Sequence, residues 1–160
     1  MCGIFGLTEN NPRLVKDLID TCSHRGPDGS NIYYNDKITL GHNLLAITST
    51  PKDGSQPWIS SNKNVLIYNG EIFNYNEIVL RFKNNFKPKT TCDTELLIWL
   101  LNNYSYREVI SKIIDSMHAF AFYNKQENEL VLSRDHVGIK PIYFAETNSG
   151  IVFSSEIKAL

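Results

Sequence analysis

The sequence has no apolar run that could cross a bilayer. Its longest, Leu96 to Leu101, falls far short of the ~20 residues a membrane-spanning helix needs. Nor does it open like a secretory leader, since the first basic residue is Arg13 and the opening apolar run stops at Leu7. Residence in the cytoplasm is the default expectation. Charge of one sign is also missing: 16 Lys and Arg against 17 Asp and Glu leave a formal net charge of -1, so no bulk field draws the chain to nucleic acid or anionic lipid. Cysteine is scarce, and the spacing of Cys2, Cys22 and Cys92 fits neither a zinc knuckle nor a Cys-x-x-Cys redox site. His24, His42, His118 and His136 share no ligand-like spacing, so no metal is expected. A Walker sequence and a dinucleotide fingerprint are both absent, which leaves the chain no visible means of activating an acceptor with a nucleotide.

What is there is the composition of one soluble globular domain, expected to span residues 1–160, with 42% hydrophobic and 21% charged residues. Gly3 to Leu7 reads as a buried strand ending in a polar turn. Asn11 is a candidate N-cap with Pro12 at the first helical position, and Leu14, Val15, Leu18, Ile19 and Cys22 then recur with helical spacing. Arg25 to Gly29, rich in Gly and Pro, predicts a turn. Ile32–Tyr34, Ile38–Ile47 and Val65–Tyr68 are β-branched and aromatic, so they predict strands. Ile78, Val79, Phe82 and Phe86 predict a helix from about Asn76, Leu96–Leu101 a buried helix, and Tyr106–Ile114 a third. Ala119–Tyr123, Leu130–Ser133, Ile142–Ala145 and Ile151–Ser154 are spaced like hairpins. Strands and helices that are grouped rather than alternating predict the α+β class, with helices layered on antiparallel sheet.

Cys2 carries the most chemical information. If Met1 is removed, one residue holds a thiol with a reference pKa of ~8.5 and an α-amine with one of ~7.7–8.0, a nucleophile and a general base together. The alternative is that Cys2 is only a small hydrophobe at a strand start.

Cys2-Gly3-Ile4-Phe5-Gly6 closely resembles the N-terminus of the class II glutamine amidotransferases. His24-Arg25-Gly26-Pro27-Asp28, Tyr68-Asn69-Gly70-Glu71-Ile72-Phe73-Asn74 and Cys92-Asp93-Thr94-Glu95 resemble that family's next three motifs, in order. Ser133 to Tyr143 and Ser155 to Leu160 resemble the version found in glutamine-hydrolysing asparagine synthetases, so the resemblance covers essentially the whole chain. It implies a four-layer αββα sandwich of two antiparallel sheets between helices. It also implies hydrolysis of glutamine to glutamate and ammonia through a Cys2 thioester, with no cofactor for that half-reaction, supplying nitrogen to an amide synthetase.

The resemblance further implies residue roles. Asn69 and Gly70 would supply the donors for the tetrahedral oxyanion. Asp93 would hold the α-ammonium of glutamine, with Glu71 lining the same pocket, and Arg25 and Gly26 would belong to a loop beside the nucleophile. Arg134 and Asp135 read instead as a structural ion pair. In the segment Gly41 to Ile47 the family has an Arg, at the position of Leu44, that clamps the α-carboxylate; here Leu44 and Ile47 would line that part of the site without it. Ser116 stands where the family has Gly, and His118 where it has an apolar aromatic residue. The family continues past this point into an ATP-using synthetase domain, so the expected partners are glutamine and a separate ATP-dependent synthetase domain or subunit. A fragment, a subunit and a degenerate remnant all stay open, and so does a non-catalytic binding module. A papain-like hydrolase is the remaining rival, but that chemistry needs a His and an orienting Asn or Asp rather than a chain terminus.

Overall fold

The computed structural model describes residues 1–47 and 50–160. Nine strands form two antiparallel sheets. In chain order these strands are β1 (Gly3–Leu7), β2 (Gly29–Tyr34), β3 (Thr39–Leu44), β4 (Trp58–Ile59), β5 (Val65–Ile72), β6 (Ser116–Asn124), β7 (Glu129–Arg134), β8 (Tyr143–Thr147) and β9 (Gly150–Ser154). The four helices are α1 (Pro12–Thr21), α2 (Tyr75–Arg81), α3 (Asp93–Asn103) and α4 (Tyr106–Glu108). The first sheet has the order β2-β3-β1-β9-β8 and the second β4-β5-β6-β7.

Side-chain alternation along the strands divides the interior into three cores. Ile4, Leu40, Val65, Ile67, Ala119, Ala121 and Phe153 meet between the two sheets. The alternate residues point outward: Phe5 and Leu7 pack with Val15, Leu18 and Ile19 of α1, while Leu66, Tyr68, Phe120 and Phe122 pack with Leu96, Leu97 and Leu100 of α3. Helix, sheet, sheet and helix are therefore stacked in four layers, and β1 is buried along its whole length because both of its faces are covered. Each of Leu96, Leu97 and Leu100 is fully buried, a burial that stabilises the fold by about 1.5–3 kcal/mol per side chain.

Local signals explain most element boundaries. The Asn11 side chain accepts from Leu14 N at 3.1 Å, and Pro12 opens α1. Leu14 is 38% exposed, so the buried stripe of α1 is Val15, Leu18 and Ile19. β3 stops at Leu44, short of the predicted Ile47, because the next amide, Leu45 N, turns to the Cys2 sulfur instead of continuing the ladder. Thr48 and Ser49 lie outside the described residues. α2 ends at Arg81, and Phe86, predicted to lie on the same helix face, reaches the core from a turn. The predicted helix over Tyr106–Ile114 is one turn of α4 followed by a wider π-type turn over Val109–Ile113. Strand β8 runs Tyr143–Thr147, starting one residue and ending two residues later than predicted, and the two-residue strand β4 was not predicted at all.

Two expectations for the second sheet change. Arg134 and Asp135 form no ion pair among the described residues. Arg134 is exposed, whereas the buried Asp135 carboxylate accepts the backbone N–H groups of His118 at 3.1 Å, Ile139 at 2.9 Å and Lys140 at 3.0 Å. Those bonds outweigh burial and hold the Asp135 carboxyl below the usual carboxylate range. The unusual Ser116 and His118 satisfy each other: the Ser116 hydroxyl lies 2.8 Å from His118 Nδ1, Ser133 lies 3.0 Å from Nε2, and the ring stacks on Phe120.

Candidate active site

Cys2 immediately precedes β1, the central strand of the first sheet. Its sulfur sits 3.4 Å from Leu45 N and 3.5 Å from Leu45 O. Burial pushes the thiol pKa up, while the Leu45 amide, the chain's ammonium and the Arg25 guanidinium pull against that rise.

Across a cavity of about 110 Å³ from this strand runs the end of β5. Cys2, Leu44, Ile47, Asn69, Gly70, Glu71 and Asp93 all line this cavity. Asn69 is 3% exposed, and its side-chain Nδ2 has no hydrogen-bond partner among the described residues. An unpaired buried donor costs about 1–3 kcal/mol, so this one is held at a price in stability. Gly70 is tightly enclosed: a Cβ there would fall 2.4 Å from Met117 O and 2.5 Å from the Tyr68 ring, so no side chain can be carried without moving backbone.

Asp93 is the first residue of α3, but it does not cap its own helix. Its Oδ2 accepts from Ile72 N at 3.1 Å and from the Tyr68 hydroxyl at 3.2 Å, which ties the helix start to β5. Burial raises the Asp93 carboxyl pKa, with Glu71 adding to the effect, so the site favours an incoming cation. Glu71 and Ile47 reach the rim from exposed positions.

Arg25 and Gly26, expected in a loop beside Cys2, lie there but outside the cavity lining, away from a direct substrate contact. Arg25 is 8% exposed; its Nε donates to the Cys2 carbonyl at 3.0 Å and its Nη1 to Glu156 at 3.1 Å. Its Nε thus fixes the backbone of Cys2, while its Nη2 is buried without a partner among the described residues. Gly26 packs on β3, where a Cβ would lie 2.4 Å from the Asn43 carbonyl carbon, and it brings this loop against that strand. Glu156 also receives His24 at 2.8 Å and Lys158 at 3.3 Å. Burial raises the Glu156 carboxyl, yet these three donors overcome it and lower it to about 2.

Sequence reasoning missed three contributors. Gln56 is buried and behaves like a strand residue: its Oε1 accepts from Tyr68 N at 2.6 Å and its Nε2 donates to Tyr68 O at 3.1 Å, aligning the residue before Asn69. Glu156 and Lys140 lie within the quoted motifs but had no assigned role. No local pattern marks Gln56, because its partner is 12 residues away on another strand.

The fold is shared with the glutamine phosphoribosylpyrophosphate amidotransferase of Bacillus subtilis, solved with ADP and GMP. The match has a TM-score of 0.78 at 20% identity and covers 99% of this chain and 42% of that one. The chain matches the glutamine amidotransferase domain over residues 1–160 and belongs to that family. It is similar to a protein named putative asparagine synthetase (glutamine-hydrolyzing) 2 from Methanocaldococcus jannaschii, 33% identical with 100% of this chain and 35% of the relative covered. It is also similar to asparagine synthetase B (glutamine-hydrolyzing) of Escherichia coli, again 33% identical, with 100% of this chain and 30% of the relative covered. The chain thus spans about a third of the length of these relatives. Among the described residues, no helix is long and apolar enough to cross a membrane.

Proposed function

We propose that this chain hydrolyses the side-chain amide of glutamine through Cys2 and delivers the ammonia to an ATP-dependent synthetase, such as one that forms asparagine. Residues 1–160 act as one amidotransferase unit, and the synthetase is a further domain or a separate subunit. The greater length of the relatives supports that arrangement. The observation that carries the reading is the Asn69 Nδ2 donor, buried without a partner among the described residues in the cavity that holds the Cys2 thiol.

The chemistry proceeds in two halves. After Met1 is removed, the Cys2 α-amine takes the thiol proton and the sulfur attacks the amide carbon. The oxyanion that forms is received by Asn69 Nδ2 and Gly70 N–H. The amine returns its proton to the departing nitrogen, and ammonia leaves behind a thioester. Water, deprotonated by the same amine, attacks the thioester and releases glutamate with the thiol restored. Asp93 and Glu71 hold the substrate α-ammonium. Met1 is 49% exposed, which supports its accessibility to a processing peptidase.

The test is ammonia release from glutamine by protein whose intact mass shows loss of Met1. Release that disappears in Cys2→Ala supports the reading, and release that survives it overturns it. A non-catalytic module is the second reading, favoured by Leu44 in the carboxylate position, and retention of Met1 in the mature protein would select it.

A further inference from the structure

Lys140 is 8% exposed, and its Nζ makes one polar contact among the described residues, with the Met1 sulfur at 3.4 Å. A thioether is a weak acceptor, and an ammonium taken out of water is normally faced by an anion or by several strong acceptors. This ammonium lines the cavity that contains Cys2, Asn69, Glu71 and Asp93. Among the described residues it is the single basic side chain that does so.

Its placement is built into the backbone. The Asp135 carboxylate that accepts Lys140 N also accepts His118 N. His118 is paired with Gly70 and Met117 with Glu71 across the β5–β6 ladder. The loop carrying Lys140 is therefore stapled beside the strand end that carries the proposed oxyanion donor and one of the acidic residues. The wall formed by Leu44, Leu45, Ala46 and Ile47 offers an anion only backbone and apolar side chains.

We infer that Lys140 binds the α-carboxylate of the amino-acid substrate in the space the Met1 side chain occupies. This rests on glutamine being the ligand, as proposed above. The two charged groups of an α-amino acid hang from one carbon, so their receptors must share one end of the cavity, with acidic groups and a cation both present. Met1 then has a second role: while it remains, its side chain covers the cation, and its removal frees the amine and uncovers the carboxylate site in one cleavage.

The experiment compares glutamine with its α-amide, in which a neutral carboxamide replaces the carboxylate, using Met1-free wild type, Lys140→Met and Lys140→Arg. Ammonia release gives kcat and KM, and calorimetry gives binding. In Lys140→Met, KM for glutamine should rise roughly ten- to a hundred-fold at nearly constant kcat, as expected for loss of one charge-assisted bond. KM for the α-amide should hardly move, so discrimination between the two collapses, and Lys140→Arg should restore part of it. Equal effects on both substrates, a fall in kcat alone, or no effect on glutamine overturns the inference. Binding of glutamine that depends on Lys140 without ammonia release sinks the hydrolysis reading and leaves this one standing. Normal release with Lys140→Met unchanged does the reverse.

Discussion

The two walls of the cavity are held in place by different physics. The wall that carries Cys2 depends on charge: Arg25 bridges the Cys2 carbonyl and Glu156, and Glu156 gathers His24 and Lys158 as well. The opposite wall, carrying Asn69 and Gly70, depends on the unbroken β5–β6 ladder, on the Gln56 pairing with Tyr68, and on close packing around Gly70. The Cys2 wall should therefore respond to pH and salt, and the Asn69–Gly70 wall to volume. Each wall also holds a buried donor without a partner among the described residues, Arg25 Nη2 on the Cys2 side and Asn69 Nδ2 on the other.

The sharpest break of this comparison is Cys2→Ala, for which ammonia release should fall to background while circular dichroism and thermal midpoint stay close to wild type. Asn69→Ala should lower kcat by roughly 10²–10³-fold with a small change in KM. Because its Nδ2 has no partner among the described residues, stability measured by urea unfolding should not drop as it would for a satisfied buried amide. Gly70→Ala should behave in the opposite way. Its Cβ meets the Met117 carbonyl, so urea unfolding should show a loss of about 1–3 kcal/mol.

The charged wall is tested by acid. Glu156 has its folded pKa lowered to about 2, from 4.5 when unperturbed. Its cluster therefore contributes stability that is fully present above pH 4.5 and lost as pH falls through 2. Glu156→Gln should flatten stability over that window. His42, buried on β3, has its pKa lowered to about 3 by burial, so its contribution is present above 6.5 and lost on descent towards 3. His42→Gln should reduce the acid slope in this higher window, leaving the part due to His118, whose pKa burial also lowers, and Glu156→Gln should leave it intact. The smallest effect sharpens the substrate end: in the Lys140→Met background, Leu44→Arg should recover KM for glutamine by roughly ten-fold, since an arginine can form the charge-assisted bond from the other side.

The sequence was most legible where a single local rule operates. Asn11-Pro12 and the stripe that follows define α1, and the run Leu96–Leu101 defines a helix covered on all sides. Cys2, Asn69, Gly70 and Asp93 could be singled out because their residue types suit one reaction and their motifs occur in family order. Boundaries set by distant partners were not legible. β3 ends where the Cys2 sulfur takes the next amide, and nothing between Ile38 and Ile47 announces that contact. The second partner of Arg25, Glu156, was not legible for the same reason, being 131 positions away. Ser116 and His118 each looked like a departure alone, and only their contact makes them a pair.

Strand β1 is paired on one side by β3 and on the other by β9, and Ile4 exchanges hydrogen bonds with Ser155 at 2.9 Å in both directions, 151 positions further along. A ribosome adding roughly 5–20 residues per second needs on the order of ten seconds to make the chain between them. Throughout that interval the beginning of the protein lacks one of its neighbours, and a peptidase working on nascent chains can reach Met1. The arrival of β9 then gives β1 its second neighbour, so the strand that follows Cys2 is made long before its pairing is complete.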